Sequence, residues 1–281
     1  MRWRLIRDGY HDGATNMAVD EAIMLAHARG EVPPTLRFYG WRPPALSLGY
    51  AQKAEREVDL EACRRAGVDV VRRPTGGRAV LHDREVTYSV VISTALFPGS
   101  VVETYRRLSA GLVEGLRLLG LQAEVQEGPP RAGLRSAACF DSPSWYELVV
   151  EGKKVVGSAQ VRRLGVLLQH GSVPLEFSPA QLVGLLRLPA GWRARLQEDL
   201  AAHAAGLCAL GPPVTFAGVS DALAEGFRRA LGLELEERGL TAHEQEEAAR
   251  LREEKYATWE WNVLGKLQRE DAVRVRHSGD R

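Results

Sequence analysis

The chain has 281 residues, of which 37 are Lys or Arg and 36 are Asp or Glu, for a formal net charge of +1 at pH 7. This balance excludes a nucleic-acid surface spread over the whole protein, and no run reaches the ~18 apolar residues of a membrane span. The start, Met1-Arg2-Trp3-Arg4-Leu5-Ile6-Arg7-Asp8, lacks the apolar core of a signal peptide, so a cytoplasmic location is expected, with no nucleic-acid or membrane partner.

In chain order, Trp3 to Ile6 reads as a first strand, and Thr15 or Asn16 as the cap of a helix from Met17. Asp20 and Glu21 fall in its first turns, where the macrodipole favours anions, and Val19, Ile23 and Ala26 form its buried stripe. Leu36 to Tyr39 alternates as a strand ended by Pro43-Pro44, and Ala45 to Leu48 is another. Asp59 caps a helix ending at Gly67 that buries Leu60 and Cys63. Val68 to Arg72, Ala79 to His82 and Val86 to Ile92 are strands around the turn Pro74-Thr75-Gly76-Gly77. Paired glycines let a backbone approach a ligand and can aim N–H groups at an oxyanion, although a plain hairpin turn uses them equally well. Arg72, Arg73 and Arg78 place positive charge around that turn. No G-x-x-x-x-G-K-[ST] loop is present.

A leucine stripe predicts a helix over Val101 to Leu119, followed by an edge strand from Gln122 to Val125. Tyr146 to Val150, Val155 to Val161 and Val166 to Val173 form a predicted meander, turned at Glu151-Gly152 and at Arg162 to Gly165, with Lys154 opening its middle strand. Helices then follow over Pro179 to Leu186, Ala194 to Cys208 and Ser220 to Leu231. A short strand is expected at Leu233 to Glu236. The capping box Thr241-x-x-Glu244 opens a last helix to about Lys255, with Trp259 and Trp261 folding back on it. The cysteines Cys63, Cys139 and Cys208 lie far apart without a C-x-x-C pair, so neither a zinc site nor a disulfide framework is indicated. A thiol and an amine beside strand-held positions, Cys139 and Lys154, suggest covalent acyl transfer. His82 and His170 invite a Cys–His pairing, or equally a hydrogen-bonded role in shaping a pocket.

Several motifs, in order, resemble the lipoate/biotin protein ligase superfamily: Asn16-Met17-Ala18-Val19-Asp20-Glu21, Leu36-Arg37-Phe38-Tyr39-Gly40-Trp41 and Arg72-Arg73-Pro74-Thr75-Gly76-Gly77-Arg78-Ala79-Val80-Leu81-His82-Asp83. Cys139-Phe140, Pro143 to Leu148, Gly152-Lys153-Lys154, Gly157-Ser158-Ala159-Gln160, Leu168 to Ser172 and Lys255 to Asn262 are similar to its cysteine-dependent octanoyltransferases. The resemblance implies an α+β fold, a mixed, largely antiparallel sheet flanked by helices. The implied catalytic domain covers 1–222 (core about 33–220), with a helical extension at 223–262 and a charged tail at 263–281.

It implies transfer of an octanoyl group from octanoyl-acyl carrier protein to a lysine of a lipoyl-domain protein such as the glycine cleavage H protein. No cofactor is expected, neither ATP nor a metal, and the enzyme is expected to be a monomer. The thioester-forming cysteine falls on Cys139 and the residue that lowers its pKa and shuttles protons on Lys154. Arg73, Gly76, Gly77, His82, Gly157 and His170 are the substrate-binding candidates, and Val80, Leu81, Val155, Val156 and Gly157 the candidates for an apolar acyl slot. Three alternatives stay open: an ATP-dependent lipoate or biotin ligase, an octanoyl amidotransferase that takes its acyl group from H protein, and a non-catalytic acyl-binding module.

Overall fold

The computed structural model describes residues 1–127 and 146–266. Its elements are β1 (Arg2–His11), α1 (Gly13–Ala28), β2 (Thr35–Trp41), β3 (Ala45–Leu48), α2 (Ala54–Glu57), α3 (Leu60–Arg65), β4 (Asp69–Arg72), β5 (Val80–His82), β6 (Glu85–Ser93) and α4 (Val101–Leu118). There follow β7 (Ala123–Glu127), β8 (Tyr146–Val150), β9 (Lys153–Arg163), β10 (Val166–Pro174), α5 (Pro179–Gly184), α6 (Trp192–His203), α7 (Phe216–Leu231), β11 (Glu234–Glu237), α8 (Ala242–Leu251) and α9 (Trp259–Asn262).

Eight strands form one sheet in the order β11-β1-β2-β6-β10-β9-β8-β7, and three form a second, β4-β3-β5. β1 runs parallel to β11 and β2, and every other neighbouring pair of the large sheet is antiparallel, so the mixed, largely antiparallel expectation holds. One face buries Phe38, Tyr88, Val90 and Leu167 under α4 and α7. The other buries Tyr39, Val91 and Leu168 under α1 and α8. The small sheet closes a third core with Leu182, Leu186 and Leu200 of the α5–α6 region.

Several boundaries differ from expectation for local reasons. β1 continues to His11 past a register shift between Arg7 and Tyr10, where Gly9 has φ +64°, and such a bulge erases the period-2 pattern. α1 begins at Gly13 because the Asp12 carboxylate accepts from Thr15 N–H at 2.7 Å, and Asn16 is buried inside the helix. α6 stops at His203, leaving Cys208 in a separate 3-10 turn, Leu207–Ala209. The last helix passes into a π-helical turn, Arg252–Tyr256. Trp261 is buried as expected, but Trp259 is 56% exposed. The position 222/223 lies within α7, and β11 adds to the main sheet beside β1.

Candidate active site

A strand alternates faces, so neighbouring strands in register stack alternate residues on one side of a sheet. On the α1 side, β2 contributes Arg37, Tyr39 and Trp41, with Arg37 opposite Ser89 and Tyr39 opposite Thr87 of β6. β10 places His170 opposite Ser89 and Ser172 opposite Thr87, and β9 places Gly157 opposite Ser172 and Ala159 opposite His170. The small sheet lies against this face and supplies Ser47 and His82, with Arg73 and Thr75 just beyond β4. Between them is a narrow cleft with room for little more than a water molecule at its closed end. Its apolar wall includes Met17, Tyr39, Trp41, Val80, Gly157 and Ala159, and its polar wall Arg73, His82, Thr87, His170 and Ser172.

The polar wall is one connected network. His82 Nδ1 meets the Glu85 carboxylate at 2.8 Å and its Nε2 meets Ser47 Oγ at 2.7 Å. His170 Nδ1 meets the Asp20 carboxylate at 3.2 Å and its Nε2 meets Thr75 Oγ1 at 2.8 Å. Arg73 joins the two halves, donating to Ser47 Oγ at 2.8 Å and to Thr75 Oγ1 at 3.3 Å. A carboxylate can only accept, so each imidazole presents Nδ1–H to its acid and its Nε2 meets a hydroxyl. Both nitrogens of both histidines are engaged within the protein, which disfavours the Cys–His pairing and favours the pocket-shaping role. His82 also stacks on Trp41, with centroids 4.0 Å apart and planes 12° apart.

The two acids are buried and heavily hydrogen-bonded, as buried charge requires. Glu85 accepts from Ser172 Oγ at 2.5 Å and from Thr87, whose hydroxyl takes the Trp41 indole N–H at 2.7 Å. Asp20 accepts from Arg37 at 2.7 Å, Tyr39 OH at 2.9 Å and Ser89 Oγ at 2.8 Å. Burial alone would raise the Asp20 pKa, but the Arg37 charge and the His170 contact outweigh it and hold the carboxyl below its usual range. Burial pushes the His170 imidazole below the ordinary histidine pKa against the opposing effect of the hydrogen bond that it donates to Asp20.

Of the expected binding residues, Arg73, His82, Gly157 and His170 come together at the cleft, while Gly76 and Gly77 are not in its lining. The turn is instead held from within: Arg73 donates to the carbonyls of Gly76 and Arg78, both at 2.8 Å. The arginines around it are not a solvated ring. Arg72 is buried, donating to the carbonyls of Gly49, Tyr50, Gln52, Trp261, Asn262 and Val263. Arg78 is half-exposed and lies 3.5 Å from Glu57. Val80 and Gly157 line the slot, but Val155 and Val156 point into the core under α4, and Leu81 packs with the small-sheet core.

Lys154 lies on β9 as expected, buried, with Nζ 3.2 Å from Glu147. Its backbone is fixed by pairing with Val149 and by Ala205 N–H donating to its carbonyl at 3.1 Å. Cys139 lies outside the described residues. Cys63 is buried, and burial raises its thiol to about 11, as suits an inert side chain.

Sequence reasoning missed Asp20 and Glu85 as site residues. The signal was present: Asp20 interrupts an apolar helix face between Met17 and Ile23, and Glu85, Thr87 and Ser89 make a polar face on a strand whose other face is Val86, Tyr88 and Val90. Among the described residues no cluster of His, Cys, Asp or Glu is arranged to hold a metal, and no helix is long and apolar enough to cross a membrane.

The mixed sheet sandwiched by helices, with its apolar slot, is the fold of lipoate-protein ligases, two of which superpose on it over almost the whole chain. The lipoyl protein ligase A/B catalytic domain family matches residues 12–228. Octanoyltransferase LipM of Kyrpidia tusciae is 58% identical over 269 residues, covering 92% of this chain and 98% of that protein. Octanoyltransferase LipM of Bacillus subtilis is 43% identical over 270 residues, covering 92% and 97%. Among solved structures, a bipartite lipoate protein ligase from Thermoplasma acidophilum superposes with a TM-score of 0.80 at 28% identity, over 96% of this chain and 99% of that one. A lipoate-protein ligase A bound with ATP gives 0.78 at 28% identity, over 94% and 99%. The chain belongs to the lipoyl protein ligase A/B catalytic domain family, in its octanoyltransferase branch, and is an acyltransferase.

Proposed function

We propose that this enzyme takes the octanoyl group from octanoyl-acyl carrier protein onto Cys139 and passes it to a lysine of a lipoyl-domain protein, the glycine cleavage H protein foremost. The observation that carries the reading is the cleft, a narrow apolar slot whose two histidines are saturated by protein partners and which needs its proton carrier from elsewhere. Lys154, buried and strand-held, supplies one.

In the first half-reaction the Cys139 thiolate, favoured by the Lys154 ammonium, attacks the donor's thioester carbonyl. The C–S bond to the carrier breaks, and the departing thiolate takes a proton from Lys154. In the second, the acceptor's amine attacks the octanoyl-cysteine thioester, the amide forms, and the C–S bond to Cys139 breaks. The proton lost by the amine returns to Lys154, which leaves the enzyme as it began. The donor is already a thioester, so the transfer draws on no ATP and no metal.

An intact mass after mixing with octanoyl-acyl carrier protein, without ATP, tests this. The expected result is one added octanoyl group, released by hydroxylamine and absent from Cys139→Ala. An unmodified chain that acts only on free octanoate with ATP overturns the scheme in favour of a ligase. Acylation by octanoyl-H protein but not by the octanoyl carrier moves it to amidotransfer.

A further inference from the structure

The pairing of β8 with β9 is broken once. Leu148 lies opposite Val156 but Val149 lies opposite Lys154, so β9 carries one extra residue between them, Val155. An extra residue on one strand bends it and re-aims a side chain, a device common beside active sites. Val155 and Val156 are neighbours in sequence, yet both sit in the core under α4 with Leu148 and Val150 of β8. Strict alternation from Val156 would send Lys154 into that same core. The bulge turns it to the opposite face, the one on which Gly157 and Ala159 line the cleft.

On that face Lys154 meets Glu147. Leu148 and Val150 point into the α4 core, so Glu147 and Val149 point away from it. Glu147 follows the Leu148–Val156 pair on β8 as Gly157 does on β9, so both stand on the cleft side of the bulge. The backbone of Glu147 is held from the other side by Gln126 of β7. Lys154 Nζ donates to the Glu147 carboxylate at 3.2 Å, with the lysine side chain 8% and the glutamate side chain 20% exposed. Burial of a lysine calls for a counter-charge, and that alone would explain an acid here. The bulge adds that both groups are delivered to the cleft face from strands fixed in a sheet, the geometry of a supported reacting group.

We propose that Glu147 is a positioning residue for acyl transfer, acting through Lys154. An ammonium has three donors, so the bond to Glu147 leaves two for the reacting groups. The carboxylate also accepts from the neutral amine that remains once Lys154 has given its proton to the departing carrier thiolate. Nζ, at the end of a flexible four-carbon stem, is thereby kept in one place through both half-reactions. Glu147 itself takes no proton. The inference rests on the roles proposed above for Cys139 and Lys154.

The test is a double-variant cycle in the full chain: Glu147→Ala, Lys154→Ala and the two combined, with Glu147→Gln beside them. Two rates are read, single-turnover acylation by octanoyl-acyl carrier protein and alkylation of Cys139 by iodoacetamide at neutral pH, followed on the Cys139 peptide. Both should fall about tenfold in Glu147→Ala, as loss of a hydrogen bond to a charged group implies. Glu147→Gln keeps an acceptor oxygen at the same reach and should recover most of that loss. In the Lys154→Ala background, removing Glu147 should cost nothing further. If thermal unfolding shows Glu147→Ala to be unfolded, Glu147→Asp, which draws the carboxylate back by one methylene, replaces it with the same expected loss. Wild-type rates in Glu147→Ala overturn the positioning role, and so does an equal loss with and without Lys154, or a Glu147→Gln no better than Glu147→Ala. Wild-type rates in Lys154→Ala instead bring down the reading of Lys154, and a wild-type chain that the octanoyl carrier does not acylate brings down the donor reading.

Discussion

Gly49 and Gly77 meet backbone to backbone: a Cβ placed on Gly49 would lie 2.0 Å from the Gly77 carbonyl oxygen, and Gly77 itself has φ +95°. This contact seats the turn that follows β4 against the end of β3. Packing thus requires glycine at position 49, while at position 77 the positive φ and the Arg73 side chain, 2.9 Å from where a Cβ would lie, favour it.

Gly49→Ala is therefore expected to displace the turn and with it Arg73, which binds both Ser47 and the Gly76 carbonyl. Overpacking of this kind costs about 1–3 kcal/mol. Urea denaturation should show a lowered midpoint with unchanged slope, and octanoyl transfer should fall. A variant with wild-type midpoint and rate would show that the turn yields freely.

Asp20→Asn removes the charge that Arg37, Tyr39, Ser89 and His170 all address in a fully buried position. Asp8 still faces Arg37 at 2.6 Å, so the cation keeps one partner. The expected loss is about 3 kcal/mol, at the lower end for breaking a buried ion pair. Equilibrium unfolding measures it directly, and a loss under about 1 kcal/mol would mean that Asp8 alone sustains Arg37.

Stability should fall as the medium is acidified from about pH 6.5, the ordinary histidine pKa. The folded His170 pKa is depressed by burial, so between the unfolded and folded values the unfolded chain binds the extra proton and gains relative to the fold. Above that window both states are neutral at this site and it contributes no slope. His170→Asn should flatten the curve there; an identical slope in the variant would assign the proton uptake to another group.

Arg72→Lys should loosen the C-terminal segment selectively. Arg72 spans six carbonyl oxygens from two chain segments, and a lysine ammonium offers only three donors from one point. Trp261, whose indole N–H donates to the Arg72 carbonyl at 2.9 Å, reports on the same junction. Hydrogen exchange should quicken over 256–263 while β6 and β10 stay protected. Uniform change across the chain would instead indicate a global effect.

The strands were legible because their patterns are strong. Ala45 to Leu48 and Tyr146 to Val150 coincide with β3 and β8, and the capping box at Thr241 and Glu244 is present. Glu244, however, also pairs with Arg4 at 2.7 Å across 240 residues of sequence, a partnership no local signal announces. Trp259 and Trp261 were indistinguishable as apolar residues, and only the geometry of α9 buries one and exposes the other.

Taken alone, the residues and their spacing determined the three-strand meander, the position of Lys154 at the head of its middle strand, and the motifs that carry the family resemblance, from which the class of the sheet followed. Those properties are local, set by period-2 alternation, turn glycines and short runs of neighbouring residues. Only the tertiary structure decided that His82 and His170 are bound at both nitrogens, that Asp20 and Glu85 are their partners, and that Arg72 and Arg73 face inward. Those pairings join positions as far as 191 residues apart, and each is settled by which groups must be satisfied once burial removes water from them.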